Sequence, residues 1–256
     1  MEKNPYYLAY EKRYQAVFAA GGERWGHAPD DKELVDTLTK WVEDNHLRGK
    51  RILEFACGEG AGGVILSSLG CSYHGVDISR TAVEKAANAL RMYPNATVSR
   101  LDMVQDVVPG QYDAALDCMG FHMLVTDGDR AAYLKNAFQA LKDGAPMLFY
   151  KESYRSNPAE VYKGPVCSFD DWKKIANTDY TTPSLRKTKM GSGEVEVRIP
   201  LVPARANDRD GYLKEMEQAG FTVEQFREMN ISEAIQYSAS IYARKPFLPS
   251  ASKNKS

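Results

Sequence analysis

"RILEFACGEGAGG", Arg51 to Gly63, decides the fold. An apolar run of strand composition leads into glycines at Gly58, Gly60 and Gly63, and the apolar segment "GGVILSSLG" follows. The spacing spells GxGxxG, the pattern of a dinucleotide-binding turn. At about 7% glycine such a triplet arises by chance in about one chain in a dozen of this length, so the spacing alone decides little. Its place between a predicted strand and a predicted helix gives it meaning. Glycine there adopts dihedrals closed to other residues and lets a ligand approach the backbone.

Downstream the same rhythm continues. "SYHGVDI" reads as a second strand, and "SRTAVEKAANALRMY" as a helix with Ser79 at its cap. "TVSRLDM" and "YDAALDCM" are a third and a fourth strand. "RAAYLKNAFQALKDG" is a helix closed by Gly144, and "APMLFYKES" is a fifth strand. Strand and helix in alternation imply crossover connections and a parallel sheet.

The flanks behave differently. Residues 1–48 read as helical: Tyr7, Tyr10, Tyr14 and Phe18 recur at helical spacing, and Leu34, Leu38, Trp41 and Val42 share one face. Asp30 and Asp31 stand where a cap belongs, and Gly49 is a stop. Residues 152–205 break the rhythm with Pro158, Pro165, Pro183, Pro200 and Pro203. They hold one alternating run, "EVEVRIPLV", with Val195, Val197, Ile199 and Leu201 on one face. The insert is expected to lie on the substrate side and set specificity, as loops beyond strand ends do; its alternating run would instead extend the sheet or join two copies of the chain as a homodimer. Arg186, Lys187 and Lys189 read as a solvated loop. A helix, "DRDGYLKEMEQAG", then precedes two strands, "FTVEQFREMN" and "YSASIYARKP", whose short link favours an antiparallel pair. The organisation expected is a helical segment at 1–48, a main domain at 49–245 with an insert at 152–205, and a disordered tail at 246–256.

Composition narrows the partners. The formal net charge of the 256 residues is −1, so no global pull toward nucleic acid or anionic membrane is expected. Cys57, Cys71, Cys118 and Cys167 form no CxxC pair, which argues against a zinc site or a disulfide framework and for a cytoplasmic setting. His27, His46 and His74 lack metal-ligand spacing, and no metal is expected. The N-terminus has no signal-like apolar core, and no apolar run nears the roughly 20 residues that span a bilayer.

Charge separates the ligands that a glycine turn can hold. A pyrophosphate wants helix amides with an apolar strand before them. S-adenosylmethionine has no phosphate and carries an ammonium, a carboxylate and a sulfonium. An acid just before the turn suits that ligand, and Glu54 stands there. Asp77, ending the second strand, would accept the hydroxyls of a ribose, a role it could equally play for NAD. Asp102, ending the third, would accept from the adenine amine, with Met103 on the ring.

On "LEFACGEGAGG", "GVDIS", "RLDM", "YDAALDCMGFHML", "LKDGAPMLF" and the closing helix with two strands, the chain resembles the class I S-adenosylmethionine-dependent methyltransferases. The resemblance covers about residues 50–150 and 207–245. It implies an α/β, Rossmann-like, doubly wound sheet of seven strands, mostly parallel with an antiparallel last strand and helices on both faces. It implies cofactor roles for Glu54, Ala56, Cys57, Gly58, Gly60, Asp77, Ile78, Asp102, Met103 and the chain near Asp117. By analogy with relatives acting on small molecules, residues 1–48 are a lid, with Tyr14 and Trp25 against cofactor or acceptor. The reaction implied is methyl transfer to a small molecule by in-line displacement, giving S-adenosylhomocysteine. An NAD-dependent oxidoreductase, and a methyltransferase of peptide or RNA, are the competing readings.

The transfer itself needs alignment more than acid–base chemistry. A base is required only when the acceptor keeps a proton at neutral pH. His122, just past the fourth strand, is the candidate catalytic residue, as base or hydrogen-bond partner; a packed loop histidine is the alternative. Lys151, Glu152 and Tyr154, after the fifth strand, point to the same crevice.

Overall fold

The computed structural model describes residues 5–190, 193–229 and 237–247. Its nine strands, seven α-helices and three short 3₁₀ turns among these residues follow the order the sequence predicts through the central region. The strands are β1 (Arg51–Phe55), β2 (Ser72–Asp77), β3 (Ala96–Arg100), β4 (Ala114–Cys118), β5 (Pro146–Ser153), β6 (Ser184–Met190), β7 (Gly193–Ile199), β8 (Thr222–Met229) and β9 (Ser238–Arg244). The helices are α1 (Ala9–Ala19), α2 (Lys32–Asp44), α3 (Ala61–Ser68), α4 (Arg80–Ala89), α5 (Asp127–Ala140), α6 (Phe169–Ile175) and α7 (Arg209–Gln218).

Seven strands form one sheet in the order β3-β2-β1-β4-β5-β9-β8. β1 to β5 pair in parallel, and β9 runs antiparallel to both neighbours. The α/β class, seven-stranded order and antiparallel last strand agree with the expectation from the sequence. Alternation along the strands splits the interior into two layers. Leu53, Phe55, Ala115 and Phe149 face α5 and α7, meeting Tyr133, Leu134, Tyr212 and Met216. Ile52, Leu116, Leu148 and Tyr150 face α2 and α3, meeting Leu34, Leu38, Trp41 and Leu66. Burying each such side chain contributes about 1.5–3 kcal/mol.

The predicted caps are in place. The Asp31 carboxylate accepts from the amides of Glu33 and Leu34, and Ser79 Oγ from that of Ala82. The N-terminal segment divides, however. α1 lies across the carboxyl edge of the sheet, whereas α2 belongs to the core.

Glu152 and Ser153 close β5, where the fifth-strand reading places them. Between β5 and α7 the structure corrects two expectations. The alternating run does not extend the main sheet: β7 pairs with β6 as a separate antiparallel hairpin. Its Val197 and Ile199 pack on Val17 of α1. Arg186, Lys187 and Lys189 lie in β6, not in a loop. The hairpin and α1 brace each other, since Arg13 donates to the Pro200 carbonyl at 3.0 Å and Thr188 to the Arg24 carbonyl at 2.6 Å. Most of the predicted tail falls outside the described residues. Among those described, no helix is long and apolar enough to cross a membrane.

Candidate active site

Parallel register aligns the carboxyl ends of four strands. Phe55 lies beside Val76 and Asp117, and Asp77 beside Arg100. The turn after β1 closes with three left-handed residues, Ala56 (φ 48°), Gly58 (φ 52°) and Gly60 (φ 83°). Gly60 caps α3 and sits so close to α4 that a Cβ there would come within 3.1 Å of Ala86 Cβ. The glycine signal therefore has two causes, dihedral freedom and helix packing.

Asp77 ties this turn to the next strand. Its Oδ2 accepts from the Gly58 amide at 2.9 Å and its Oδ1 from the Ser79 amide at 2.8 Å. Burial pushes its carboxyl up to about 6, against the two amide hydrogen bonds that lower it. Asp102 follows β3, where its Oδ1 accepts from the amides of Val104 at 2.9 Å and Gln105 at 3.3 Å. Between these acids is a slot floored by Ala56, Val76, Ile78, Leu101 and Met103 and walled by Met123 and Leu124. Tyr7, Tyr10 and Tyr14 roof it. The enclosed volume is about 60 Å³, whereas a nucleoside-bearing ligand needs several hundred. Filling the slot therefore requires the tyrosines of α1 and its leading turn to shift.

α1 is held over the edge by a carboxylate that sequence reasoning missed. Glu11 accepts from Ser79 Oγ at 2.6 Å and from the Thr81 amide and hydroxyl at 3.1 and 2.8 Å. Those bonds hold the Glu11 carboxyl below its usual range, against the opposing effect of burial. Glu59, inside the glycine turn, plays the same part for the next loop, accepting from the amides of Trp25 and Gly26. No motif marked either residue.

Ala56, Asp77, Ile78, Asp102, Met103 and Tyr14 thus come together at the slot, with Gly58 and Gly60 in the turn behind them. Four predicted residues do not. Glu54 is 1% exposed and lies beneath α3, where a Cβ on Gly62 would meet its Oε1 at 2.5 Å. Tyr73 donates to its Oε2 at 2.5 Å, and burial raises its carboxyl to about 8. Glu54 is thus a buried prop under the turn, away from the slot, and the ammonium-facing role expected for it is corrected. Cys57 is buried beside Gly75 and Tyr73. Trp25 packs with α1, its ring under the Arg13 guanidinium at 4.9 Å.

Asp117 is the fourth, fully buried and outside the slot's lining. Its Oδ1 accepts from the amides of Gly120 and Phe121 at 2.6 and 3.2 Å, and Tyr133 donates to Oδ2. Burial, then the neighbouring Glu152, push its carboxyl well above the carboxylate range.

His122 occupies a 3₁₀ turn (Phe121–Met123) whose next residues wall the slot. Its amide donates to Glu152 Oε2 at 2.7 Å, and its Nδ1 lies 2.8 Å from the same oxygen. Arg130 fixes the turn from below, donating to the carbonyls of Phe121 and Leu124 while pairing with Glu215. The Arg205 amide donates to the His122 carbonyl at 2.8 Å. Lys151 and Tyr154 face elsewhere, paired with Glu33 and Glu228.

A family model described as a methyltransferase domain matches residues 53–147, the stretch holding the turn, Asp77, Asp102 and His122. The Bacillus subtilis (strain 168) protein named "Putative methyltransferase YqeM" is 27% identical over 84% of this chain and 83% of its own length. The chain is a methyltransferase.

Solved structures show the fold of this methyltransferase more widely. A S-adenosylmethionine-dependent methyltransferase from Clostridium acetobutylicum matches with a TM-score of 0.62 at 14% identity, covering 85% of this chain and 92% of that one. The Burkholderia thailandensis 1,6-didemethyltoxoflavin-N1-methyltransferase matches with a TM-score of 0.64 at 13% identity, over 95% and 93%. The dinucleotide reading of the glycines yields to the family match.

Proposed function

We propose that this methyltransferase binds S-adenosylmethionine in the slot between Asp77 and Asp102 and methylates a small-molecule acceptor. The donor, when bound, supplies a methyl group activated by a positive sulfonium. The observation that carries the reading is the pair of carboxylates on successive strand ends with an apolar floor between them. Asp77 suits two ribose hydroxyls, Asp102 the adenine amine, and Ile78, Leu101 and Met103 the faces of the ring. Gly58 and Ala56 bring the backbone close without a side chain in the way.

The small-molecule reading rests on the cover. α1 and the β6–β7 hairpin brace one another over the sheet edge, which leaves a confined entrance rather than an open face. The Burkholderia enzyme, of the same fold, was solved with 1,6-didemethyltoxoflavin bound, a small molecule in that protein. The net charge of −1 gives no electrostatic help to a nucleic-acid acceptor. In this arrangement α1 of the 1–48 segment is the lid, and the insert after β5 shapes the acceptor side.

The test is transfer of labelled methyl from S-adenosylmethionine to separated extracts of metabolites, peptides and RNA. Label is expected in the metabolite fraction and lost with Asp77→Ala. Label confined to peptide or RNA would overturn the acceptor class while leaving the methyltransferase assignment intact.

A further inference from the structure

β5 carries a break that decides where its last residues point. Its pairing with β9 shifts register between Phe149 and Glu152, and Lys151 within the break has φ 56°. A bulge adds one residue to a strand, so the side chains beyond it change face. Phe149 packs on Phe121, on the α5 side. Tyr150 lies in the opposite layer with α2, and Lys151 stays on that side, its Nζ 2.6 Å from Glu33 of α2. Glu152 then returns to the α5 side, against His122. Unbroken alternation would have set it with Tyr150. Left-handed residues other than glycine cost free energy and cluster at functional sites, and this one aims a carboxylate at the candidate base.

Glu152 is fully buried. Its Oε2 meets both the amide and Nδ1 of His122, and its Oε1 has no partner. Burial, then the neighbouring Glu152, raise the Asp117 carboxyl well above the carboxylate range. Arg130 and Tyr133 of α5, Tyr10 of α1, Tyr212 of α7 and Cys118 of β4 are other titratable groups near Glu152. His122 Nε2 has no hydrogen-bond partner among the described residues, and the side chain is 9% exposed.

We infer that Glu152 is a positioning residue: it locks the His122 proton on Nδ1 and leaves Nε2 free to take a proton from a hydroxyl or amine acceptor. This rests on the methyl-transfer reading for its purpose, but the tautomer is a property of the chain alone. The acceptor class follows from the base. A carboxylate acceptor needs no base, whereas a hydroxyl or amine must lose a proton. In the step, that proton passes to Nε2 as the acceptor's lone pair closes on the methyl carbon. The electrons of the broken carbon–sulfur bond stay on sulfur. The imidazolium faces Glu152 until it releases its proton to water.

The experiment is long-range ¹⁵N–¹H NMR of histidine-labelled protein, with His122→Gln to assign the signals, in parallel with calorimetric binding of S-adenosylhomocysteine. The wild type should show a single Nδ1–H tautomer. Glu152→Gln keeps an oxygen for Nδ1 and should keep that tautomer, with turnover reduced at least tenfold by loss of charge. Glu152→Ala should mix the tautomers and reduce turnover by about 100-fold, with KM and S-adenosylhomocysteine affinity within about twofold of wild type. An Nε2–H tautomer in the wild type overturns the inference, even if neither variant folds. So does an unchanged tautomer or turnover in Glu152→Ala. Failure of wild type to bind S-adenosylhomocysteine would instead overturn the donor assignment.

Discussion

The Tyr7 phenol donates to both carboxylate oxygens of Asp102, at 3.0 and 3.2 Å. The residue proposed to read the adenine amine is thus engaged by the segment that roofs the slot. Ligand and Tyr7 compete for one carboxylate, which couples donor binding to movement of α1 and its leading turn. Tyr7→Phe removes the competing donor and keeps the ring. S-adenosylhomocysteine is expected to bind up to about tenfold more tightly to this variant, equivalent to about 1.4 kcal/mol. Weaker binding by calorimetry would mean that the phenol touches the ligand.

Glu54 gives a stability prediction with a definite sign. Its carboxyl is raised by burial to about 8 in the folded protein, against about 4.3 in an unfolded chain. The folded state therefore holds more protons than the unfolded state between those values, and stability falls as pH rises through that window. Glu54→Gln keeps the acceptor for Tyr73 and removes the titration. It should melt about 2–8 °C higher than wild type at pH 8, for about 1–2 kcal/mol, with the gain shrinking toward pH 5. A variant that melts lower at pH 8 would mean the ionised carboxylate has a partner.

Gly62→Ala tests the same placement from above. A Cβ there would meet Glu54 Oε1 at 2.5 Å in a packed layer, so a cost of about 1–3 kcal/mol is expected from denaturant midpoints. A neutral substitution would place Glu54 outside the space beneath α3.

Arg130 and Glu215 hold the turn that carries His122. The Arg130 side chain is 1% exposed and that of Glu215 20% exposed, with contacts of 2.6 and 2.7 Å. Glu215→Ala leaves the guanidinium buried without its carboxylate, and about 2–3 kcal/mol of stability should be lost, below the cost at fully buried pairs. Methyl transfer should fall as well, because the same guanidinium fixes the Phe121 and Leu124 carbonyls. Full activity with lowered stability would separate the turn from catalysis.

Where one element's periodicity carries the information, the sequence was readable. Asp31 with Leu34, Leu38, Trp41 and Val42 specifies α2, its cap and its buried face. Asp77 and Asp102 could be placed at the sheet edge because one ends β2 and the other follows β3, where chain direction alone delivers a side chain to that edge. Glu54 lies one residue inside its strand, and position there does not say which face the side chain takes. It takes the face under α3. Glu152 was obscured for a related reason: the bulge at Lys151 reverses the alternation, and no residue type announced it. Glu11 and Glu59 act through backbone amides brought near by tertiary packing, which leaves no local signature.

The most direct measurement is calorimetric titration of the wild-type protein and Asp77→Ala with S-adenosylhomocysteine and, separately, with NADH. Wild type should bind S-adenosylhomocysteine and not NADH. Loss of charge-assisted hydrogen bonds in Asp77→Ala should weaken that binding by about 1.5–3 kcal/mol, about 10- to 150-fold. Binding of NADH without S-adenosylhomocysteine, or unchanged affinity in Asp77→Ala, would contradict the donor site proposed between Asp77 and Asp102.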